Sequence, residues 1–234
     1  MTTAATRLPL SPDRVVSAGM RLADAEGLPA LTMRRLAAEL GVEPMSLYHH
    51  VPGKERLLEG LAEAVLVEIN VEVAARASAA LDWPAALRLR CLAARTVMLR
   101  HRWAPELISS LPSIPAGLYP YYEEILATMV RGGLDYHLSH RAIHALGTMV
   151  LGFTRELFSP ASQGGSFDEN AAEAEFAAMA VALPHLTAMV ASELHDNAED
   201  PLGWCDSDSE FEFTLGLLLD GLARSAATSS PASG

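Results

Sequence analysis

Residues 31–54, LTMRRLAAELGVEPMSLYHHVPGK, contain two short helix signals separated by a glycine. Thr32 can cap the first helix, because a hydroxyl directly before a helical run accepts an otherwise unpaired backbone N–H. Gly41 stands where that helix should end, since a residue without a Cβ adopts the left-handed conformation at low cost. Pro44 suits the first position of a second helix, and Pro52-Gly53 should end it. Two short helices joined by a turn that includes glycine are typical of a helix-turn-helix.

The second helix, at about residues 43–51, is predicted to have one buried and one exposed face. Leu47 and Val51 point inward at helical spacing. Lys54 opens the next helix, where a cation strengthens the attraction of a helix N-terminus for anions, so we expect it to bind phosphate. The outward positions carry side chains that can donate a hydrogen bond or contact a base methyl group: Met45, Ser46, Tyr48, His49 and His50.

The overall charge is unusual for a protein that binds nucleic acid. The 234 residues carry a formal net charge of −12. Residues 1–60 hold seven basic and seven acidic residues, so the negative charge lies in the rest of the chain. Screening over roughly 8 Å in physiological salt limits its effect on the predicted DNA-binding face. The distribution argues against a protein that coats nucleic acid through a uniformly basic surface.

The composition predicts a globular, cytoplasmic protein. Half of the residues are hydrophobic and one fifth are charged, and the length is sufficient to bury a core. No apolar run is long enough to cross a membrane, and the N-terminus shows no secretory signal. Cys91 and Cys205 form no CxxC pair, which favours free thiols over a disulfide or a metal site.

Helix signals continue along the chain without strand signals, so the predicted fold class is all-α. We expect a flexible arm at 1–10, a three-helix helix-turn-helix DNA-binding domain at 11–57, a larger helical effector-binding and dimerisation domain at 58–228, and a tail at 229–234. The predicted helices of the larger part run from Lys54 to about Leu81, from Asp82 to about His101, from Tyr121 to Arg131, from a cap at Ser139 to Phe158, from Ala171 to Leu194 with a kink at Pro184, and from Phe211 to Ala226. Short helices and turns at 103–120, a loop at 159–170 and a solvated acidic loop at 193–212 complete the chain.

Two of these helices are apolar over more of their circumference than one core contact requires. Two interpretations fit: the apolar residues form the core of their own domain, or they form a four-helix interface between two subunits. A helix-turn-helix favours the dimer interface, because one recognition helix reads too short a sequence for useful specificity. The residues concerned are Ile143, Leu146, Gly147, Val150 and Leu157 in one helix, and Leu215, Leu218, Leu219 and Leu222 in the other.

The segment LTMRRLAAELGVEPMSLYHHVPGKERLLEGL resembles the TetR family of bacterial repressors. The likeness runs without gaps from about Arg14 to Leu61 and includes LT-x-R-x-LA-x-x-LGV, LY-x-HV and the lysine that follows. Trp83, His101-Arg102 and TLGLLLDGL near Leu215 are similar, less closely, to the tetracycline-repressor branch. The resemblance implies a helical homodimer that binds a palindromic DNA operator. It also implies a C-terminal domain that releases the DNA when a small-molecule effector binds.

The same resemblance assigns roles to the helix-turn-helix residues. Thr32, Tyr48, His50 and Lys54 match phosphate-binding positions, and Arg34, Pro44, Met45 and His49 match base-facing positions. The chemistry agrees, because an arginine can bind guanine O6 and N7 and a methionine can contact a thymine methyl. Tetracycline repressors have glutamine in place of Pro44, so the operator should differ. A packed aromatic ring is the alternative for Tyr48, and an ordinary exposed residue is the alternative for His49.

The resemblance also implies an effector site between the middle helices. Histidines of the tetracycline branch that hold the drug and its magnesium are replaced here by Asn70 and Ile108. We therefore expect an apolar or aromatic effector, with no metal or other cofactor. The residues available to line the site are mostly apolar with a few polar groups, as in small-molecule pockets: Asn70, Arg95, Met98, Trp103, Ile108, Tyr122, Ile125, Met129, His144, Thr148 and Phe153. Each of them, taken singly, could be ordinary core.

Other function classes are weaker but open. His140 and His144 share a helix face, yet neither they nor His137 have an acidic or cysteine partner at ligand spacing, which favours plain polar lining over a metal site. An all-α enzyme could use His140 or His144 with Glu156 as acid and base, but no nucleophile motif or phosphate-binding loop accompanies them. A regulator that binds DNA without an effector is the third possibility. The sequence favours a ligand-responsive repressor without enzymatic activity.

Overall fold

The computed structural model describes residues 9–77, 81–154, 181–193 and 207–229. These ranges contain α-helices and two 3-10 turns, at Leu28–Ala30 and Ala116–Leu118, and no β-strand. The α-helices are α1 (Pro12–Glu26), α2 (Met33–Leu40), α3 (Pro44–Tyr48), α4 (Lys54–Arg76), α5 (Trp83–Arg100), α6 (Ala104–Ser110), α7 (Tyr119–Arg131), α8 (Tyr136–Gly152), α9 (Pro184–Glu193) and α10 (Ser207–Ser229). The predicted all-α class is confirmed.

The predicted caps define the first helices. The Ser11 hydroxyl accepts a hydrogen bond from the Arg14 backbone N–H at 3.2 Å, and the Thr32 hydroxyl accepts one from Arg35 at 3.1 Å. Gly41 ends α2 in the left-handed conformation, with φ 64° and ψ 39°. Because the turn and both caps are local, α2 and α3 are oriented by residues that lie within a few positions of one another.

Helix α4 packs very closely on α1. A Cβ added to Gly60 would lie 2.9 Å from Val16 Cγ2, and one added to Gly19 would lie 3.1 Å from Leu61 Cδ1. Leu57 and Leu61 are fully buried in this contact region. The small side chains therefore allow the two helices to approach, and the helix-turn-helix is held firmly against the helix that leads into the larger domain.

A polar cluster joins α1 to the end of α5. His101 Nδ1 lies 2.7 Å from Asp24 Oδ1, and His101 Nε2 lies 3.1 Å from Glu68 Oε2. The Trp103 indole N–H donates to the same Asp24 oxygen at 2.6 Å. Helices α1 and α4 and the α5–α6 turn are thereby linked at one point, which fixes where the first helix sits on the larger domain.

A buried arginine anchors the start of α10. The Arg95 side chain is 4% exposed, and its guanidinium donates to the Phe153 carbonyl at 2.6 Å, to the Ser207 hydroxyl at 2.9 Å and to Asp208 Oδ1 at 2.9 Å. It also lies 4.9 Å from the centre of the Phe211 ring. The predicted solvated loop at 193–212 is wrong for residues 207–212, which are helical, although the Asp208 side chain is 71% exposed. The arginine that binds Asp208 lies 113 positions away in the sequence.

Several predicted helix boundaries differ from those observed. Helix α8 begins at Tyr136, because Asp135 rather than Ser139 provides the cap and accepts from the Leu138 N–H at 2.7 Å. Ser139 is fully buried inside the helix. The helix ends at Gly152 instead of Phe158. The sequence alone could not show whether Asp135 or Ser139 caps the helix, because both side chains can accept a hydrogen bond. Only the residue just before the first helical turn is placed to accept one from the unpaired backbone N–H groups of that turn.

Proline placement explains two further differences. Helix α7 begins at Tyr119, two residues earlier than predicted, because Pro120 lies in its first turn, where no N–H is required. The recognition helix α3 spans only Pro44–Tyr48, since His49, His50 and Val51 form the turn that precedes Pro52. Helix α4 ends at Arg76 rather than near Leu81.

Some predictions fall on residues outside the described ranges. These are the start of the flexible arm, the tip of the tail, the 159–170 loop, most of the 171–194 helix, Glu156, Leu157 and Cys205. Helix α10 begins at Ser207, four residues before the predicted Phe211.

Arg95→Met should destabilise the fold by about 2–3 kcal/mol, because the Phe153 carbonyl and the Ser207 hydroxyl lose a buried donor. Asp208→Asn is the matched control: the Asp208 side chain is 71% exposed, so its loss should cost less than about 1 kcal/mol. Urea unfolding followed by circular dichroism measures both. Equal losses for the two variants would show that the buried donor does not anchor α10.

Candidate functional site

The predicted DNA-contacting residues lie on one segment formed by α2, α3 and the start of α4. Met45 is 69% exposed and Tyr48 is 44% exposed, although both are large and carry apolar surface. The partly or fully exposed members of the set are Thr32, Arg34, Pro44, Met45, Ser46, Tyr48, His49, His50 and Lys54. Leu47 and Val51 are buried as predicted. Tyr48 is thus not a packed aromatic ring of the core, and its exposure favours contact with a binding partner.

The cations around this face divide into paired and unpaired groups. Arg35 bonds to Glu26 at 2.6 Å and to Glu39 at 3.2 Å, and the Glu26 bond is the main cause of its raised pKa. Among the residues that the structure describes, Arg34 and Lys54 form no ion pair or side-chain hydrogen bond. They are available to contact phosphate or a base edge without first breaking an internal contact.

A small pocket lies between α4, α5, α6, α7 and α8. Its volume is about 110 Å³. Four of the predicted effector-binding residues line it: Met98, Ile108, Tyr122 and Ile125. The other lining residues were not predicted to bind an effector, and Ile143, Leu146, Gly147 and Val150 were predicted at the dimer interface instead. The remaining ones are Leu66, Leu87, Arg90, Cys91, Ala94, Tyr121 and Leu151. The one sequence signal for this pocket was the helical spacing of Leu87, Cys91, Ala94 and Met98, which places them on one face of α5. The same spacing is equally typical of residues in an ordinary core.

The remaining predicted effector-binding residues do not line this pocket. Arg95 and Phe153 belong to the α10 anchor, where the Phe153 and Phe211 rings are 5.6 Å apart. Trp103 faces Asp24, and Met129 is fully buried. His144 and Thr148 are on the exposed side of α8. The Asn70 side-chain oxygen accepts a hydrogen bond at 2.7 Å from Nη1 of Arg90, which lines the pocket.

The apolar stripes predicted at a dimer interface are largely used within the subunit. Ile143, Leu146, Gly147 and Val150 line the pocket, and Leu215 and Leu219 are buried. Leu218 and Leu222 are half-buried. The exposed apolar positions of α10 are Phe213 and Leu217, 66% and 58% exposed. Among the described residues, most members of the two stripes therefore belong to the core of their own domain. The apolar surface of α10 that stays exposed is formed by Phe213 and Leu217, which are not among the predicted interface residues.

The pocket is apolar apart from one edge, where Arg90 stands. Arg90 donates to Asn70 at 2.7 Å and to Glu124 at 3.0 Å, and its guanidinium lies 5.0 Å from the centre of the Tyr121 ring. Burial raises the pKa of Tyr121 and that of the Cys91 thiol to about 12. Both groups are therefore neutral at pH 7, and Arg90 is the one ionised side chain among the described pocket residues.

Neither metal chemistry nor a membrane span has support in the described residues. His140 and His144 are exposed on α8 with ring centres 4.6 Å apart. No group of three or more His, Cys, Asp or Glu side chains within the described ranges is placed to hold a metal ion. In the same ranges, no helix has the length and apolar character needed to cross a bilayer.

Comparisons with known proteins agree with this geometry. The DrrR1 transcriptional repressor of Streptomyces coeruleorubidus is 33% identical over 221 residues, which cover 91% of this chain and 77% of DrrR1. The crystal structure of the TetR family protein ActR of Streptomyces coelicolor with (S)-DNPA superposes with a TM-score of 0.67 at 28% identity, covering 94% of this chain and all of that one. BioQ, solved with its double-stranded DNA operator, is 26% identical with a TM-score of 0.59 and covers 92% of this chain and 99% of BioQ.

Two family models match the chain one after the other, and the gap between them lies largely within helix α4. The model for bacterial regulatory proteins of the tetR family matches residues 15–61, which hold most of α1, all of α2 and α3, and the start of α4. The model for the tetracyclin repressor-like C-terminal domain matches residues 78–226, which hold every residue that lines the pocket except Leu66. With an exposed helix-turn-helix, an all-helical second part and both matches in order, this chain belongs to the TetR family of bacterial regulatory proteins.

Proposed function

We propose that this chain is a cytoplasmic transcriptional repressor that binds a palindromic operator as a homodimer and is released by a small, mostly apolar or aromatic molecule. One observation carries the proposal: α4 belongs to both sites. Lys54 begins the helix at the DNA-binding face, and Leu66 of the same helix lines the pocket. The two positions are roughly 18 Å apart at 1.5 Å per residue.

The contacts around α4 give that connection a physical basis. The close approach at Gly60 and Val16 fixes α1 to the N-terminal half of α4. Glu68, two residues after Leu66, contacts His101 at the joint with α1. A molecule that fills the pocket and displaces α4 would therefore move the helix-turn-helix with it, and the two DNA-binding faces of a dimer would change their separation.

The proposal of a homodimer rests on the short recognition helix and on the exposed surface of α10. Five residues of α3 span little more than one turn, so one copy can read only a few base pairs, and paired half-sites supply the rest of the specificity. Phe213 and Leu217 stand four positions apart on α10 and leave apolar surface uncovered. A second copy of the chain would bury that surface.

The relatives support the same class. DrrR1 is described as a repressor, ActR was solved with small molecules, and BioQ was solved with operator DNA. An enzyme has no specific support, because His140 and His144 lie on the exposed face of α8. A regulator without an effector would share the helix-turn-helix but would need no pocket.

The proposal is tested with the DNA directly upstream of the protein's own gene. We expect a gel shift at nanomolar protein, protection of two half-sites related by a two-fold axis, and reversal by compounds that stabilise the protein in a thermal-shift panel. Absence of DNA binding would refute the repressor. DNA binding that no stabilising compound reverses, or a panel without a stabilising compound, would favour the effector-independent regulator.

Lys54→Ala should weaken binding to every DNA sequence and lower the slope of log affinity against log salt by about one, because one phosphate contact is lost. Arg56→Ala is the matched control, since Arg56 lies two residues further along α4 but is bonded to Glu59 and Glu63 at 3.0 and 3.1 Å. Its salt slope should not change. Titrations by fluorescence anisotropy at several salt concentrations measure both, and an unchanged slope for Lys54→Ala would remove its assigned role.

Arg34→Ala should relax base choice at a single operator position, at a cost of about 1–3 kcal/mol on the preferred sequence. Arg34 is exposed and has no partner among the described residues, so the substitution should not affect stability. Binding to an operator library in which each position is randomised in turn measures the effect. A uniform loss over all positions would place Arg34 on phosphate instead.

Leu217→Arg should shift the protein from dimer to monomer, because a charge would enter a desolvated apolar contact. Val71→Arg is the control: Val71 is 63% exposed, comparable to Leu217, but lies on α4. Sedimentation velocity at micromolar concentration separates the two states. A dimer that tolerates Leu217→Arg as well as Val71→Arg would exclude this side of α10 from the interface.

A further inference from the structure

Arg90 stands between the pocket and a groove on the outside of the molecule. The groove has a volume of about 550 Å³ and lies between the end of α4, the start of α5 and the end of α7, with Trp83 and Thr128 among its walls. Leu87 and Arg90 line both spaces. Arg90 therefore lies between the apolar pocket and the outer groove.

The two partners of Arg90 differ in how firmly they are held. Asn70 is half-buried, and its side-chain oxygen accepts a hydrogen bond from Arg90 Nη1 at 2.7 Å. It is neutral, so it does not balance the charge of the guanidinium. Glu124 supplies the counterion at 3.0 Å from Nη2, but its side chain is 60% exposed whereas that of Arg90 is 15% exposed. An ion pair with one partner in solvent contributes little to stability, so the Glu124 carboxylate can leave at low cost.

We propose that Arg90 is the anion-binding residue of the effector pocket and that Glu124 is its resident, exchangeable counterion. The inference rests on the proposed function and deepens it by naming the ligand class: an aromatic or otherwise apolar body that carries one carboxylate or comparable anionic group. The apolar body occupies the pocket, and the anion takes the place of Glu124 on the guanidinium. The exchange leaves the charge around Arg90 unchanged, because one anion replaces another.

The chemistry of the guanidinium favours such a ligand. Its planar array of donors matches a carboxylate bidentately, and the bond is stronger where water is excluded. The other side-chain donors that line the pocket, Tyr121, Tyr122 and Cys91, carry no positive charge and cannot bind an anion with comparable strength. A neutral ligand of the same shape would leave Glu124 in place and gain no charged contact.

The size of the pocket is consistent with this mode of binding. A volume of about 110 Å³ is below the roughly 300 Å³ at which drug-sized ligand sites begin. A ring system that fills it must therefore place any further group at an edge. Arg90 also lines the outer groove, and departure of the Glu124 side chain would free the space beside the guanidinium.

The test uses two probes of the same shape, 2-naphthoate and 2-naphthamide, titrated into the full-length protein by calorimetry. Naphthoate should bind the wild type about tenfold more tightly than naphthamide, which corresponds to one charge-assisted bond. Arg90→Gln should remove this preference and leave naphthamide binding intact. Glu124→Gln should tighten naphthoate by about threefold and not change naphthamide, because the competing carboxylate is gone.

Three results would overturn the proposal: no naphthoate binding to the wild type, the same preference in Arg90→Gln, or no gain in Glu124→Gln. Glu124→Gln keeps the test decisive if Arg90→Gln fails to fold, as judged by circular dichroism, because Glu124 is largely exposed. A gel shift of the wild type on the upstream DNA runs in parallel. Loss of that shift would count against the repressor, whereas the calorimetry alone decides the role of Arg90.

Discussion

The close packing of α1 on α4 is the constraint on which the rest of the molecule depends. At Gly60 and Gly19 the two helices leave no room for a Cβ without movement of Val16 or Leu61. Interiors packed at this density transmit displacement rather than absorb it. The helix-turn-helix is thus fixed to α4 before any contact with the larger domain is considered, and a change in the position of α4 becomes a change in the position of the DNA-binding face.

Two polar clusters then hold parts of the larger domain in place around the packed pair α1 and α4. Both consist of hydrogen bonds to charged groups, which are more directional than apolar contacts. The Asp24 carboxylate receives the Trp103 indole N–H and faces His101, which places the α5–α6 turn against α1. Arg95 binds a carbonyl, a hydroxyl and a carboxylate from two other segments, which places the start of α10. Each cluster satisfies most of its hydrogen-bonding capacity, as buried polar groups must. The pocket lies within the apolar core of the larger domain.

The sequence predicted the local features well because their causes are local. The Thr32 cap, the left-handed Gly41 and the first-turn Pro44 each depend on neighbours within four positions, and the structure contains all three. Where two caps competed, at Asp135 and Ser139, periodicity could not decide between them. The all-α class was predicted from such local signals. The predicted DNA-binding face was located from the polar and exposed positions of α3. The assigned DNA contacts themselves are still predictions.

The pocket was harder to predict because its polar edge is made by residues far apart in sequence. Arg90 and Glu124 are separated by 34 positions, and Arg95 and Asp208 by 113. Arg90 and Arg95 lie on the same helix with similar neighbours, so no local pattern shows which of them faces the pocket and which anchors α10. Their partners distinguish them: Arg95 is 4% exposed and bound on three sides, whereas Arg90 keeps one solvent-facing counterion. A guanidinium bound on three sides stabilises the fold, and one with a replaceable partner is able to bind a ligand.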